Sequence, residues 1–344
     1  MASHKTIILG IETSCDETAS AILLKQNDRI NLVSNIVASS SHIQAKYGGI
    51  IPEQAAREQV KAIIPVIKEA LEQAELDPED LDALAVTQGP GLIGSLLVGV
   101  ETAKTLSLVW NKPLIPVNHL IGHFYANWID SNPSFPCIGL LASGGHTDLV
   151  LFESHGKFKY LGGTRDDAAG ECFDKCARIL SLPYPGGPQI SKLAQKGDPK
   201  SYSLPRPMIN SRNFDFSYSG LKTAVLNLVK SMAKSELVKA DELSHLCASI
   251  EQAIIDPLIS KTIQAAKRFN INQIIMAGGV AANQKLRVEL EKNCQLSINN
   301  YQLNIPPPYL CTDNAAMIAS AAFFTDKTID PLKLQADPNL SLAY

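Results

Sequence analysis

No apolar run in this 344-residue sequence approaches the ~20 residues of a helical membrane span; the most apolar, Leu92 to Val100, is far shorter. A secretory leader is not expected either. The apolar run after Lys5 meets Glu12 almost at once, and the N-terminus has no Arg-rich, acid-poor stretch of an organelle precursor. Charge of neither sign dominates: 31 Lys and Arg against 34 Asp and Glu leave a net charge of −3. That excludes a wholly basic nucleic-acid-binding domain, but not a local basic patch or one supplied by a partner. Paired cysteines are not in evidence. The seven (Cys15, Cys137, Cys172, Cys176, Cys247, Cys294 and Cys311) are odd in number and dispersed, which predicts reduced thiols and a cytoplasmic setting. Cys172 and Cys176 would share a helix face. Without a second pair they read as small packed residues rather than a zinc site.

What is present fits an α/β protein of two lobes. The length exceeds one ordinary core, and the 21 glycines and 20 prolines are scattered as turns. Two apolar runs, Ile7 to Ile11 and Ala19 to Leu24, flank a polar turn and predict a β-hairpin. The plan recurs at Cys137 to Ala142 and Leu149 to Phe152, around Ser143-Gly144-Gly145-His146-Thr147. Two such hairpins suggest duplicated lobes facing each other. Helical periodicity predicts helices over Pro52–Ala74, Leu92–Val109, Ala168–Leu182, Gly220–Ala233, Asp241–Phe269 and Asp313–Phe324. Ala83 to Val86 and Gln273 to Met276 read as buried strands. Each leads into glycines (Gly89-Pro90-Gly91 and Gly278-Gly279) and then a helix, the second beginning near Ala281 or Ala282. Strand, glycine turn and helix start together offer backbone N–H groups to an anion. Residues 130–136 are the expected crossing, giving lobes of 1–130 plus 311–344 and of 131–310.

Several side chains carry chemistry. His119 and His123 form an H-x-x-x-H pair, which a helix stacks on one face within reach of one ion. The alternative is a pair of helix-surface histidines. Leu120 follows the first histidine where a zinc protease needs glutamate. Asp313, at the mouth of the last helix, is a candidate third ligand or an ordinary first-turn acid. Arg206, Arg212 and Lys222 alternate with Phe214, Phe216 and Tyr218, which suits either a nucleic-acid surface or a half-buried loop.

Taken together, the strings Gly10-Ile11-Glu12-Thr13-Ser14-Cys15-Asp16-Glu17-Thr18, Gln88-Gly89-Pro90-Gly91, Asn118 to His123, Ser143 to Thr147, Asp166 to Lys175, Tyr184 to Pro188, Ser219 to Thr223, Gly278 to Asn283 and Thr312 to Ala316 resemble the tRNA N6-adenosine threonylcarbamoyltransferases, formerly described as O-sialoglycoprotein endopeptidases. They occur in family order from about residue 7 to residue 325, in the bacterial form. The resemblance implies the two-lobed, ribonuclease H-like fold of actin, the heat-shock 70 ATPases and sugar kinases, with a central cleft. It implies His119, His123 and Asp313 as ligands of one divalent metal ion, iron with zinc as the alternative. Leu141, Ala142, Ser143, Gly144 and Gly145, with Asp174, Gly187 and Asn283, would line the substrate and nucleotide site. Ser191 and Gln59 stand where relatives usually carry an acidic residue and a histidine.

The implied reaction moves the threonylcarbamoyl group of threonylcarbamoyl-adenylate to N6 of adenosine 37 in tRNAs reading codons that begin with A, releasing AMP. Asp16 and Glu17 are the candidates for proton handling. Implied partners are tRNA, a paralogous subunit of the same fold and a small P-loop ATPase, with no membrane. A small-molecule kinase of the same fold is the first rival, but two imidazoles do not suit Mg²⁺. A non-catalytic scaffold is the second, and it would not keep the metal motif.

Overall fold

The computed structural model describes residues 5–40, 43, 44, 47, 49–129, 131–233 and 240–343. The chain divides into two compact units. One runs to Ser134 and resumes at Pro306, and it includes Ser154–Lys157; the other comprises Phe135–Glu153 and Phe158–Ile305.

The first unit is built on β1 (Lys5–Glu12), β2 (Glu17–Gln26), β3 (Arg29–Ser39), β4 (Ala83–Gly89) and β5 (Leu114–Asn118). Their order in the sheet is β3-β2-β1-β4-β5. β1 pairs antiparallel with β2, from Lys5 opposite Gln26 to Glu12 opposite Ala19, and parallel with β4. A central strand is covered on both faces, which is why β1 is continuously apolar from Ile7 to Ile11 instead of alternating. Helix α1 (Pro52–Ala74) starts with proline in its first turn, where no N–H is needed. Its buried stripe, Ala55, Gln59, Ile63, Val66, Ile67 and Ala70, follows the helical repeat. Helix α2 (Ile93–Trp110) completes the core with Val100 and Ala103, against Leu9, Ile11, Leu84 and Val86.

By length and composition α2 is apolar enough to cross a membrane, with 18 residues and a mean hydropathy of 1.2. The apolar character therefore runs on past Val100, further than the sequence reading took it. The helix nevertheless carries Glu101 and Lys104, and its Ser95, Leu96, Gly99, Val100, Ala103 and Ser107 are buried, a single stripe packed on the core. The short α3 (His119–Tyr125) follows β5 directly.

The second unit repeats the plan. β6 (Cys137–Ala142), β7 (Thr147–Ser154), β8 (Lys157–Gly163), β9 (Gln273–Ala277) and β10 (Gln302–Asn304) lie in the order β10-β9-β6-β7-β8. Numbered from its own first strand, this order is identical to that of the first sheet. The hairpin is again antiparallel and the two later strands again parallel. The duplication suggested by two similar hairpins thus extends to all five strands, and both units are α/β of the expected ribonuclease H-like kind. Helices α4 (Ala169–Ile179), α5 (Gly186–Ala194), α6 (Ser219–Ala233), α7 (Ala240–Phe269) and α8 (Gln284–Ser297) complete the unit.

Back in the first unit come α9 (Pro308–Cys311) and α10 (Ala315–Ala322). Two helices start two or three residues later than expected. After β9 the chain makes a 3₁₀ turn, Gly279–Ala282, and α8 begins only at Gln284, because Asn283 caps it by accepting from the Leu286 amide. Likewise α10 begins at Ala315, since the Asn314 side chain accepts from the Met317 amide. Asp313 therefore precedes the cap and is not a first-turn residue.

Candidate metal centre and glycine turns

The three predicted metal ligands converge. Asn118 caps α3 by accepting from the amides of Leu120 (2.8 Å) and Ile121 (3.3 Å). This sets His119 and His123 one turn apart on one face, with ring centroids 4.6 Å apart. Helix α10 packs across α3 and against β1. The approach to β1 is close because position 10 is glycine: a Cβ there would lie 2.4 Å from the Ala315 carbonyl oxygen. Asp313, just ahead of α10, thereby reaches the histidines. Its Oδ1 is 3.2 Å from His123 Nε2 and 3.7 Å from His119 Nε2. One ligand atom from each residue lies within 4.8 Å of the others.

The surroundings favour a cation here. Among the described residues His123 Nδ1 is buried without a hydrogen-bond partner, and Nε2 faces only the Asp313 carboxylate, a costly state for a polar group unless something binds it. Burial also holds His123 below its usual pKa, in the neutral form that ligates. His119 differs because Glu12 lies behind it. The carboxylate of Glu12 is wholly buried. Its Oε1 accepts from the Ser14 amide (2.5 Å), and its Oε2 accepts from Thr87 Oγ1 (2.5 Å) and faces His119 Nδ1 at 3.0 Å. A carboxylate only accepts, so Nδ1 carries the proton and Nε2 turns its lone pair toward Asp313 and His123. Burial opposes charge on His119, but Glu12 and Asp313 outweigh it and push the imidazole up to about 9. A cation among the ligands takes the place of the extra proton. Two imidazoles and a carboxylate are the donor set of a borderline transition metal, so the residues fit the group.

Asp16 and Glu17 stand at the β1–β2 turn, outside this three-residue set. The Asp16 carbonyl accepts from Ser40 Oγ (2.8 Å). Glu17 Oε1 accepts from Ser39 Oγ (2.9 Å). Its Oε2 is buried without a partner among the described residues, and burial, followed by the neighbouring Asp16, pushes its pKa up to about 7.

In the second unit Leu141 to Gly145 and Asn283 lie at or beyond the carboxyl ends of two parallel strands, while Asp174 lies on α4 and Gly187 on α5. Leu141 of β6 lies opposite Ala277 of β9, and each strand runs straight into a glycine turn. The Ser143 amide donates to the His146 carbonyl, and the His146 amide to Ser143 Oγ. A Cβ on Gly144, Gly145 or Gly279 would meet nothing within 4 Å, so the backbone there is open to approach. Gly278 has φ of 90°, and a Cβ on it would strike the Ala142 carbonyl oxygen at 2.4 Å; only glycine fits. Asp174 Oδ1 accepts from the Gly186 amide (2.7 Å), and burial raises the Asp174 pKa. Gly187 follows in the first turn of α5. Asn283, besides capping α8, donates from Nδ2 to Ser191 Oγ (2.9 Å) and to Glu251 Oε1 (2.7 Å).

A sequence model of the tRNA N6-adenosine threonylcarbamoyltransferases matches residues 31–320. The chain belongs to this family. The protein of that description from Staphylococcus haemolyticus is 48% identical, over 94% of this chain and 92% of its own length. The one from Geobacillus thermodenitrificans is also 48% identical, over 97% and 96%. Among solved structures, full-length HypF in its phosphate- and nucleotide-bound form is similar in fold. Its TM-score is 0.59 at 13% identity, over 94% of this chain and 55% of that one. As a member of the family the chain is a transferase.

Two features of this transferase went unanticipated. Glu12 could have been found as an acid ending an otherwise apolar central strand. Gln59 stands alone as a polar residue on the buried stripe of α1. Its Nε2 reaches the carbonyls of Thr13 (3.4 Å), Cys15 (3.1 Å) and Glu17 (2.9 Å), holding the turn that carries the family's Glu-Thr-Ser-Cys-Asp-Glu string. Of the two readings of the stretch from Arg206 to Lys222, the structure agrees with the half-buried loop. Phe214, Phe216 and Tyr218 are buried in the core of the second unit and present no stacking surface. Arg206 is held by Asp256 (2.9 Å) and the Leu204 carbonyl (2.6 Å). The alternation of cations with aromatics is that of a packed loop with half-exposed stems. Cys172 and Cys176 are a buried pair with sulfurs 3.9 Å apart, their packing role as expected.

Proposed function

We propose that the chain transfers the threonylcarbamoyl group of threonylcarbamoyl-adenylate to N6 of adenosine 37 in tRNAs reading codons that begin with A, releasing AMP. The observation that carries this reading is the convergence of His119, His123 and Asp313 in a chain of this family. These residues would hold a divalent transition metal, iron with zinc as the alternative. Bound there, the ion supplies a Lewis acid for a carbonyl or phosphate oxygen.

The remaining roles belong to the chain's own groups. Leu141, Ala142, Ser143 and the open backbone of Gly144 and Gly145 take the phosphate side of the adenylate, where the glycine N–H groups stabilise charge on the leaving group. Asp174, Gly187 and Asn283 hold its nucleoside. An exocyclic adenine amine is a weak nucleophile, so orientation supplies much of the rate. Glu17 and Asp16 handle the proton, since a carboxyl pushed up to about 7 can exchange one near neutral pH. Partners of this reading are tRNA, a paralogous subunit and a small P-loop ATPase, all in the cytoplasm. Exposed Val60 and Ile64 on α1 and Ile93 and Leu97 on α2 offer the apolar surface that a subunit would cover.

The test is reconstitution with partner subunits, threonylcarbamoyl-adenylate and a tRNA transcript, followed by nucleoside mass analysis. Threonylcarbamoyladenosine should form on the parent transcript and not on one with guanosine at position 37. Its absence in the presence of metal and partners would refute the reading.

A further inference from the structure

Every carbonyl of the β1–β2 turn from Thr13 to Glu17 accepts a hydrogen bond. The Leu92 amide donates to Ser14 (2.8 Å), Ser40 Oγ to Asp16 (2.8 Å) and Ser95 Oγ to Cys15 (2.9 Å). Gln59 Nε2 serves Thr13 (3.4 Å) and Glu17 (2.9 Å), and shares Cys15 (3.1 Å) with the serine. One side chain of α1 thus holds the carbonyls on both sides of Ser14.

Packing does not call for an amide at this position. Gln59 is wholly buried, in a stripe of α1 whose other members, Ala55, Ile63, Val66, Ile67 and Ala70, are apolar. Its Oε1 is buried without a partner among the described residues, a cost that an apolar side chain of similar length would avoid. What the amide supplies is its NH₂ group, two donors set among three carbonyls.

Ser14 is where the turn meets the candidate metal centre. Its amide donates to Glu12 Oε1 (2.5 Å), and its Oγ lies 3.2 Å from His119 Nδ1. Glu12 Oε2 faces the same nitrogen at 3.0 Å. A hydroxyl both donates and accepts, so Ser14 can serve either tautomer of His119. The carboxylate only accepts, and it keeps the proton on Nδ1 while the turn keeps it in place. If the turn drifts, the Ser14 amide leaves Glu12. The hydroxyl is then free to donate to Nδ1, which puts the imidazole proton on the ligating nitrogen.

We infer that Gln59 is a positioning residue for the candidate metal centre: by donating to the carbonyls on either side of Ser14, it keeps Glu12 and the Ser14 hydroxyl on His119 Nδ1 and leaves Nε2 to the metal. The inference rests on the metal reading given above.

The experiment compares the full-length parent with three variants. Gln59→Met keeps the length and loses the donors. Gln59→Asn draws the NH₂ group back from the carbonyls and is the milder change, used in place of Gln59→Met should that variant not fold. Gln59→His restores a ring N–H at nearly the same reach. Affinity for Zn²⁺ is read by competition against a chromophoric chelator, and nitrogen NMR of the zinc-loaded proteins reads the His119 Nδ1 proton. In the parent zinc should sit on Nε2 with the proton on Nδ1. Gln59→Met should bind zinc about tenfold more weakly, as expected for an outer partner of a metal-bound histidine, and its Nδ1 proton should exchange faster with water, while a thermal melt shows a folded protein. Gln59→Asn should lose about threefold or more, and Gln59→His should stay within about threefold of the parent and tighter than Gln59→Met. Zinc affinity within about twofold of the parent in the folded donor-deficient variant overturns the inference and leaves the metal reading standing. So does an equal loss in Gln59→Met and Gln59→His, which would mark the position as one of packing and not of donation. Zinc on His119 Nδ1 in the parent overturns it with no variant needed. A parent that binds no zinc would overturn the metal reading itself, and this inference with it.

Discussion

Replacing Glu12 by glutamine keeps the shape of the side chain and removes half of its accepting capacity. In the parent, two oxygens meet three donors: the Ser14 amide and Thr87 Oγ1 at 2.5 Å, and His119 Nδ1 at 3.0 Å. Glutamine has one oxygen and an NH₂ group. If the oxygen serves Ser14, the NH₂ faces Nδ1, which must then accept. The proton moves to Nε2, and the lone pair aimed at Asp313 and His123 is lost. If the oxygen serves His119, the NH₂ confronts the Ser14 N–H and the β1–β2 turn is disturbed. Either way His119 is a poorer ligand, and outer partners of metal-bound histidines are worth about 10- to 100-fold in affinity, or about 1.4–2.7 kcal/mol. The assay is competition for Zn²⁺ or Co²⁺ against a chromophoric chelator, with nitrogen NMR of the imidazoles to read the tautomer. Metal affinity within about twofold of the parent, in a folded protein whose His119 proton still sits on Nδ1, would refute the reasoning.

Three further outcomes are expected. His119→Ala and His123→Ala should each lose most of about one bound metal per chain while the circular dichroism spectrum is retained; undiminished metal in both would remove the centre. Gly10→Ala places a Cβ 2.4 Å from the Ala315 carbonyl and 3.0 Å from the Ala319 amide nitrogen. It should cost about 1–3 kcal/mol in urea unfolding and weaken metal binding with it, because Asp313 moves with α10; full stability would show that the helix yields freely. Asp148 is 8% exposed, and burial, against a hydrogen bond from Tyr160, raises its pKa from 3.8 to about 6. The folded state thus holds that proton more tightly, so its stabilising contribution is full below about pH 4 and lost as pH rises through about 6. The gap corresponds to roughly 3 kcal/mol, and Asp148→Asn should gain on the parent by up to that amount between pH 4 and pH 7 in denaturant titrations; parallel profiles would contradict it.

The sequence made the strands and long helices legible because each is set by its own residues. The apolar period of α1 and the Pro52 start are local facts, and the helix occupies Pro52–Ala74 as predicted. The H-x-x-x-H pair was legible for the same reason, since helical geometry alone stacks its members. Helix starts governed by an asparagine cap were read two or three residues early, because the competing acid or alanine is an equally good helix beginning. The aromatics after Arg206 stayed open between two readings because periodicity does not tell which side of a loop is covered, and Phe214, Phe216 and Tyr218 turn inward. Glu12 was hidden for the opposite reason. Its role depends on Thr87 from β4 and His119 from α3, two residues far away in sequence that the parallel pairings of β1 with β4 and of β4 with β5 bring alongside.

Asparagine caps stand at or beside three of the candidate site residues. His119 is the first residue of a helix capped by Asn118, Asp313 immediately precedes the cap Asn314, and Asn283 is itself a cap. In each case an asparagine side chain satisfies the exposed amides of the first turn, which would otherwise compete for whatever carboxylate or imidazole stood nearby. With those donors occupied, Asp313 turns its oxygens toward the histidines, and His119 is oriented by Glu12 instead of by its own helix. Asn314→Ala should therefore do more than remove a cap worth about 1 kcal/mol. It frees the Met317 amide to draw in the Asp313 carboxylate, so metal affinity should fall by more than the loss of stability alone accounts for. Asn314→Ser, which still caps, should keep the parent's affinity. Chelator competition on the two variants separates the cases, and equal metal affinities would show that Asp313 is held in place by α10 packing alone.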